Sequence, residues 1–392
     1  MNFDEVVSLL FSKRPDDSVD SLEAIRKITP LLGHPEKSFP AIHVTGTNGK
    51  GSVSLKIAKA LESSGLKVGL YTSPHLISFC ERIQINGVPI PEEAARQGLL
   101  ELFEIGKNLF FFEIATLLAF QYFRDQKVDV AIIEVGIGGL YDATNIVHPL
   151  VSIITSVACD HEDLLGNTLE KIAFQKAGII KPGIPVVIGP KADFAVIREK
   201  ALKCNSPLYK VELEPCFYDV ENTAIAAQAL KLLKYPLSEK DIEIGLKSRP
   251  PCRFEQIGNV IFDVAHNPAG ITRLLEAFDL HFPHRPFSVM IGMSKDKDVR
   301  KCLSILAQRA THLYLVQSPA FKAMDVEEMG EILRQDGFTH FTAGLSIKES
   351  VEKALSAEDL LIVCGSFYIM KEAREQVIRI QVAHDQLLLS RS

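Results

Sequence analysis

The chain has 392 residues, 47% hydrophobic and 23% charged, which is enough for two ordinary domains. Its net charge of −6 supplies no basic field for nucleic acid or an anionic membrane, so neither is an expected partner. No apolar run is long enough to span a bilayer, Asp4 and Glu5 stand where a signal peptide would be basic, and seven scattered cysteines form no C-x-x-C pair, so the sequence predicts a cytoplasmic chain with reduced thiols.

Four short apolar runs punctuate the first 160 residues: Ala41–Val44, Lys67–Tyr71, Val128–Val135 and Leu150–Val157. Between them, 51–64 and 93–123 carry apolar residues at helical spacing, and 109–123 (LFFFEIATLLAFQYF) reads as a buried helix despite its mid-run Glu113. Strands alternating with helices predict a largely parallel sheet covered on both faces. In such sheets ligands sit beyond the carboxyl ends of the strands. The first run ends in Thr45-Gly46-Thr47-Asn48-Gly49-Lys50 and leads into a helix, the context of a phosphate loop. The consensus G-x-x-x-x-G-K-[ST] does not fit, because Gly46 lies three residues before Gly49 and Gly51 follows Lys50. Glycine-turn amides at a helix N-terminus, with Lys50 as a point charge, still make an anion site, against the plainer reading of a strand–helix turn.

The other strand ends carry Ser73, Glu134 and His161. A hydroxyl, a carboxylate and an imidazole could ligate Mg²⁺, which takes few protein ligands. For His161 alone a core or capping role is equally open, whereas Glu134 ends an apolar strand and calls for a compensating cation. Gly136-Ile137-Gly138-Gly139 is not a dinucleotide fingerprint, since Tyr141 stands where its third glycine is needed. Lys176 lies among apolar neighbours, which would favour a neutral amine, or else it snorkels to water. A second alternation follows Arg249-Pro250-Pro251, with strands expected at 259–264, 286–291, 311–316 and 359–363. This places a boundary near 250 and predicts an α/β protein of two domains, 1–250 and a smaller 251–392.

HVTGTNGKGS (43–52), YTSPHL (71–76), ERIQINGVPI (81–90), IIEVGIGG…DATNIV (132–147), ITSVACDHEDLLGNTLEKIAFQKAGIIK (154–181) and IFDVAHNP (261–268) occur in order along the chain. Together they resemble the folylpolyglutamate synthase/dihydrofolate synthase family of the Mur ligase superfamily. The resemblance implies a P-loop ATPase-like N-terminal domain and a Rossmann-like C-terminal α/β domain. It also implies a monomer that joins L-glutamate to dihydropteroate or reduced folates, with ATP as co-substrate and an acyl-phosphate intermediate. By the family pattern Thr47, Asn48, Gly49, Lys50, Gly51 and Ser52 cradle the ATP phosphates, and Asn222 contacts the nucleotide. Ser73, Glu134 and His161 hold Mg²⁺, and Lys176 is carbamylated. Arg253, Asp263 and His266 close over the nucleotide from the second domain, which makes Lys50, Lys176, Arg253 and His266 the implied catalytic set. Phe112, Asp142 and Ala143 match positions near the pteroate site, where Phe112 either stacks on pterin or is core. Three departures bear on which folate is preferred. The family's GGRLDATN reads Gly138-Gly139-Leu140-Tyr141-Asp142-Ala143-Thr144-Asn145, Gln175 replaces the Glu of EKAG, and Tyr218-Asp219 stand where many relatives have His-Gln. The competing readings are a Mur-type ligase acting on a cell-wall precursor and a nucleotide-binding switch that hydrolyses ATP slowly.

Overall fold

The apolar runs become the parallel centre of an eight-stranded sheet in the computed structural model, which describes residues 1–13, 22–214, 216–320, 322–356 and 360–389. The strands are β1 (Ala41–Thr45), β2 (Val68–Tyr71), β3 (Ile83–Ile85), β4 (Val88–Pro89), β5 (Val130–Glu134), β6 (Pro149–Ile154), β7 (Val186–Ile188) and β8 (Leu208–Lys210), in the order β4-β3-β2-β5-β1-β6-β7-β8. Only β3 is reversed, pairing antiparallel with both β2 and β4, and with β4 it forms an edge hairpin that the apolar pattern did not reveal. β1 and β5 are buried along their whole length, as strands covered on both faces require. Register then positions chemistry: Val44 pairs with Glu134 and Thr45 with Ile154, so the loops after β1, β5 and β6 emerge side by side.

The helical pattern over 93–123 resolves into two helices, Glu92–Ile105 and Phe111–Asp125, the second matching the buried helix expected over 109–123. The first stops at Gly106, where an added Cβ would come within 2.7 Å of Leu109 Cδ1. The second starts with a capping contact, the Phe110 N–H donating to Glu113 Oε2 at 3.0 Å. The mid-run Glu113 is therefore the acid of a helix start, which explains a carboxylate in an apolar stretch.

The chain divides into two compact units, Met1–Arg249 and Pro250–Ser392. The second holds β9 (Glu255–Ile257), β10 (Val260–Phe262), β11 (Phe287–Ile291), β12 (Leu313–Leu315), β13 (Phe341–Ala343) and β14 (Leu360–Cys364), ordered β13-β12-β11-β14-β10-β9 with only β9 antiparallel. β9 and β13 are three residues each and partly exposed, too short for a periodic signal. Among the described residues no helix is long and apolar enough to cross a membrane.

Candidate active site

The loop after β1 is built from backbone. Gly46 (φ 152°) and Gly49 (φ 89°) take conformations that L side chains rarely adopt, and Gly49 caps the helix Lys50–Ser63 in the left-handed region. Two hydroxyl residues after β6 brace it. Thr155 Oγ1 donates to Asn48 O at 2.6 Å, Ser156 Oγ accepts from Asn48 N at 3.0 Å, and Ser156 O accepts from Thr47 N at 2.9 Å. Thr47 Oγ1 donates to Ala158 O at 3.1 Å. A side chain at Gly46 would overlap Thr155, and one at Gly49 would overlap Asn222 Oδ1 from the helix Tyr218–Leu232. Asn222 is therefore seated against the loop. Lys50 Nζ donates to Gly46 O at 2.9 Å and Thr47 O at 3.3 Å, folding over the loop's own carbonyls. Ser52 is buried in the first turn of the helix.

Glu134 stands over the helix start. Its carboxylate oxygens lie 3.6 and 3.8 Å from where a Cβ on Gly51 would be, ordinary contact distance, so the carboxylate packs against the first turn of that helix. Glu134 Oε2 also accepts from Ser73 N at 3.2 Å while only 4% of the residue is exposed. The Ser73 amide and the Gly51 turn thus both border the Glu134 carboxylate, whose hard oxygens would suit a small divalent cation. His161 caps a short helix at φ 50°, with its Nε2 4.0 Å from Asp160 Oδ1. Among the described residues there is no group of three His, Cys, Asp or Glu side chains around one point, so a cation here would need phosphate and water oxygens to complete its shell.

Lys176, in the helix Leu169–Ala177, does not snorkel. It is 2% exposed, and burial lowers its amine to a pKa of about 7, helped by the charge of Lys50 and opposed by Asp160 and Asp142. The carboxylate of Asp142 is built into the loop after β5. Oδ2 accepts from the amides of Gly136 and Ile137, both at 3.0 Å, and Oδ1 accepts from Thr144 N at 3.0 Å and Thr144 Oγ1 at 2.5 Å. His43 Nε2 lies 2.8 Å from Thr144 Oγ1, and full burial drops its pKa to about 3, keeping it neutral. Ala143 is buried beside this knot. Phe112 is half-buried against the core, and a Cβ on Gly136 would meet its Cζ at 2.5 Å. The ring therefore roofs the Gly136 turn, sharing both readings open to it.

The second unit assembles its own group. Arg253 sits between Cys252 (φ 55°) and Phe254 (φ 49°), and its guanidinium lies 5.1 Å from the centroid of Phe367. Asp263, directly after β10, accepts from Phe254 N and Ala265 N, each at 2.9 Å. His266 Nδ1 lies 2.8 Å from Val264 O, and its ring is 5.9 Å from Phe367. Arg253 and His266 thus flank one aromatic ring, while Asp263 holds the backbone that presents Arg253.

Residues 44–244 match the Mur ligase middle domain and 252–367 the Mur ligase glutamate ligase domain. The folylpolyglutamate synthase of Lacticaseibacillus casei is 35% identical over 434 residues, covering 96% of this chain and 99% of the relative. The chain belongs to the folylpolyglutamate synthase family of Mur ligases. E. coli FolC in complex with DHPP and ADP superimposes with a TM-score of 0.88 at 28% identity, covering 97% of this chain and 99% of that one. A Yersinia pestis folylpolyglutamate synthase/dihydrofolate synthase complexed with AMPPNP and Mn ion gives 0.84 at 28% identity, with 98% of each chain covered.

Within this ligase, the first unit brings together Thr47–Ser52, Asn222, Ser73 and Glu134 by the contacts above, and Lys176 feels the charge of Lys50. The second brings together Arg253, Asp263 and His266. Sequence reasoning passed over Thr155 and Ser156, although they close the β6 run, and Asp160, which raises the Lys176 amine. Phe367 was invisible because its partners lie about a hundred residues earlier in the chain.

Proposed function

We propose that this ligase joins L-glutamate to dihydropteroate or a reduced folate while converting ATP to ADP and phosphate. The folate-type carboxylate attacks the γ-phosphate to give an acyl phosphate. The glutamate amine then attacks the acyl carbon; a C–N bond forms, the C–O bond to phosphate breaks, and the amine proton leaves to solvent. The observation that carries this reading is the setting of Lys50, buried Glu134 and buried Lys176 around one glycine loop.

Phosphoryl transfer needs positioning and charge stabilisation rather than covalent help. The amides of Thr47–Ser52 would hold the phosphates, and Lys50 would exchange its loop carbonyls for phosphate oxygens. Asn222, seated at Gly49, would fix the nucleotide against the loop. Ser73, Glu134 and His161 would hold a divalent cation such as Mg²⁺, which supplies neutralisation of the phosphate charge. Arg253, Asp263 and His266 would be the second unit's contribution to catalysis, with the Arg253 guanidinium as a donor of positive charge to phosphate. Phe112 and Ala143 would border the pteroate, and Asp142 would shape that border through the amides it holds.

Lys176 has a further part in this proposal. An amine with a pKa near 7 is substantially neutral in ordinary buffer. A neutral amine adds to CO₂, forming an N–C bond and losing a proton, and the product is a carbamate. This places an anion where a neutral amine stood, so that its interaction with the Lys50 charge becomes attractive. The carbamate would then orient the site from a fixed helix position.

ADP release by the purified protein tests the whole reading. It should require ATP, Mg²⁺, L-glutamate and a pteroate or folate together. Equally fast release without any folate would point to a simple ATPase switch, and release supported only by a UDP-muramyl acceptor would point to a cell-wall ligase.

A further inference from the structure

The helix that follows the phosphate loop contains a lysine that none of the steps above uses. Lys56 is fully buried, six residues after Lys50. Its ammonium lies 3.1 and 3.3 Å from the two carboxylate oxygens of Asp219, and it donates to Leu246 O at 2.7 Å and Ser248 O at 3.0 Å. Those carbonyls belong to the end of the helix Glu239–Lys247 and the residue after it, where the backbone has run out of helical partners. Gly245 lets that helix approach, since a Cβ there would meet Lys56 O and Ala60 Cβ at 2.5 Å. Asp219 also accepts from Arg249 Nε at 2.7 Å, and the Arg249 guanidinium lies 5.2 Å from the centroid of Phe217. Asp219 lies in the first turn of the helix Tyr218–Leu232, and Asn222, one turn further on, carries the oxygen seated against Gly49.

We infer that Lys56 and Asp219 are positioning residues for the phosphate loop: their buried ion pair locks the 218–232 helix to the loop helix, holds Asn222 at Gly49, and ties Leu246–Arg249 to the same point. The geometry favours this role over bulk stabilisation alone. A methionine of similar length would fill the space of Lys56, but it could not bridge a carboxylate on one helix to two carbonyls on another. The pair spans 163 residues of sequence, so the loop's geometry depends on contacts far outside its own motif. The inference rests on the loop being the nucleotide site of the proposed ligase.

The test uses the full chain carrying Lys56→Met, Asp219→Asn and the double change Lys56→Met/Asp219→Asn. Lys56→Met leaves Asp219 paired with Arg249 alone, and Asp219→Asn leaves the buried Lys56 ammonium on carbonyls alone, so each single variant is the more prone to misfold; the double variant removes both buried charges and keeps the proposal falsifiable. Hydrogen exchange of residues 45–53 without ligand and affinity for ADP are the two readouts. In the folded double variant the loop amides should exchange faster and ADP should bind about tenfold more weakly, while turnover at saturating ATP falls far less. A merely structural pair would lower the melting temperature and leave loop exchange as in the wild type, and that result would overturn the proposal. Wild-type protein that fails to bind ADP would sink the reading of the nucleotide site instead, and the ligand-free exchange measurement would still decide the role of the pair.

Discussion

The glycine loop of the first unit and the Arg253 loop of the second present charge in opposite ways. The first offers amides, takes its positive φ angles at Gly46 and Gly49, and is braced by hydroxyls from the neighbouring strand end. The second offers a side chain and takes its positive φ angles at Cys252 and Phe254, neither of them glycine. Such conformations cost roughly 1–3 kcal/mol each and persist only where surrounding contacts over-determine them. Here Asp263 holds the Phe254 amide, Glu255 holds the Cys252 amide at 2.9 Å, and Arg374 holds Glu255 through three contacts of 2.7 to 3.2 Å. That ion pair lowers the Glu255 carboxyl against the pull of its burial. Both loops draw on distant contacts, but the first uses them to brace glycines, whereas the second uses them to hold non-glycine residues in a costly conformation.

The sharpest way to break the comparison is Lys176→Ala. If the anionic form of this lysine completes the first site, the variant should be nearly inactive at ordinary Mg²⁺ and partly rescued by acetate. An alanine variant with full turnover would remove Lys176 from the mechanism. Lys50→Ala should follow, with turnover reduced roughly 10²–10³-fold and an unchanged melting temperature, because it removes one charge-stabilising donor and little packing. Steady-state ADP release alongside a thermal melt checks both halves of that expectation.

Lys176 also gives the first unit a pH signature. Its amine titrates near 10.5 when unfolded and at about 7 when folded. Below 7 both states are protonated and the cost of the buried charge is fully present. Between 7 and 10.5 the unfolded chain holds a proton that the folded chain lacks, so stability rises with pH. In CO₂-free buffer the wild type should gain about 1.4 kcal/mol per pH unit in this window relative to Lys176→Met. Denaturant titrations of the two proteins at pH 7, 8 and 9 would show parallel stabilities if the idea is wrong.

The mildest test concerns the second loop. Arg374→Ala should reduce turnover by about tenfold through misplacement of Arg253, and Arg374→Lys should recover part of it. A lowered melting temperature without a change in turnover would show that the Glu255–Arg374 pair only stabilises the fold.

Legibility in the sequence follows the same division. β1, β5 and β6 were readable because strands buried on both faces are continuous apolar runs, and the loop was readable because only glycines satisfy its backbone. The break at Gly106 was hidden inside a stretch whose two halves share one helical period. The edge hairpin of β3 and β4 was hidden by its shortness, five strand residues in all. Lys176 could be read as buried or snorkelling until the fold placed its helix against Leu140, whose amide donates to Gln175 O at 2.8 Å. The partners of Lys56 and Glu255 lie 163 and 119 residues away, beyond any pattern of local spacing.

The cysteines are unevenly displayed. Cys80, Cys252, Cys302 and Cys364 are buried, Cys204 and Cys216 are intermediate, and Cys159 is exposed two residues before His161. A thiol-reactive fluorophore added in limiting amount to the unmodified protein would therefore attach first at the rim of the loop after β6. Its emission would follow occupancy of the site in real time, turning a chance distribution of thiols into a built-in optical gauge.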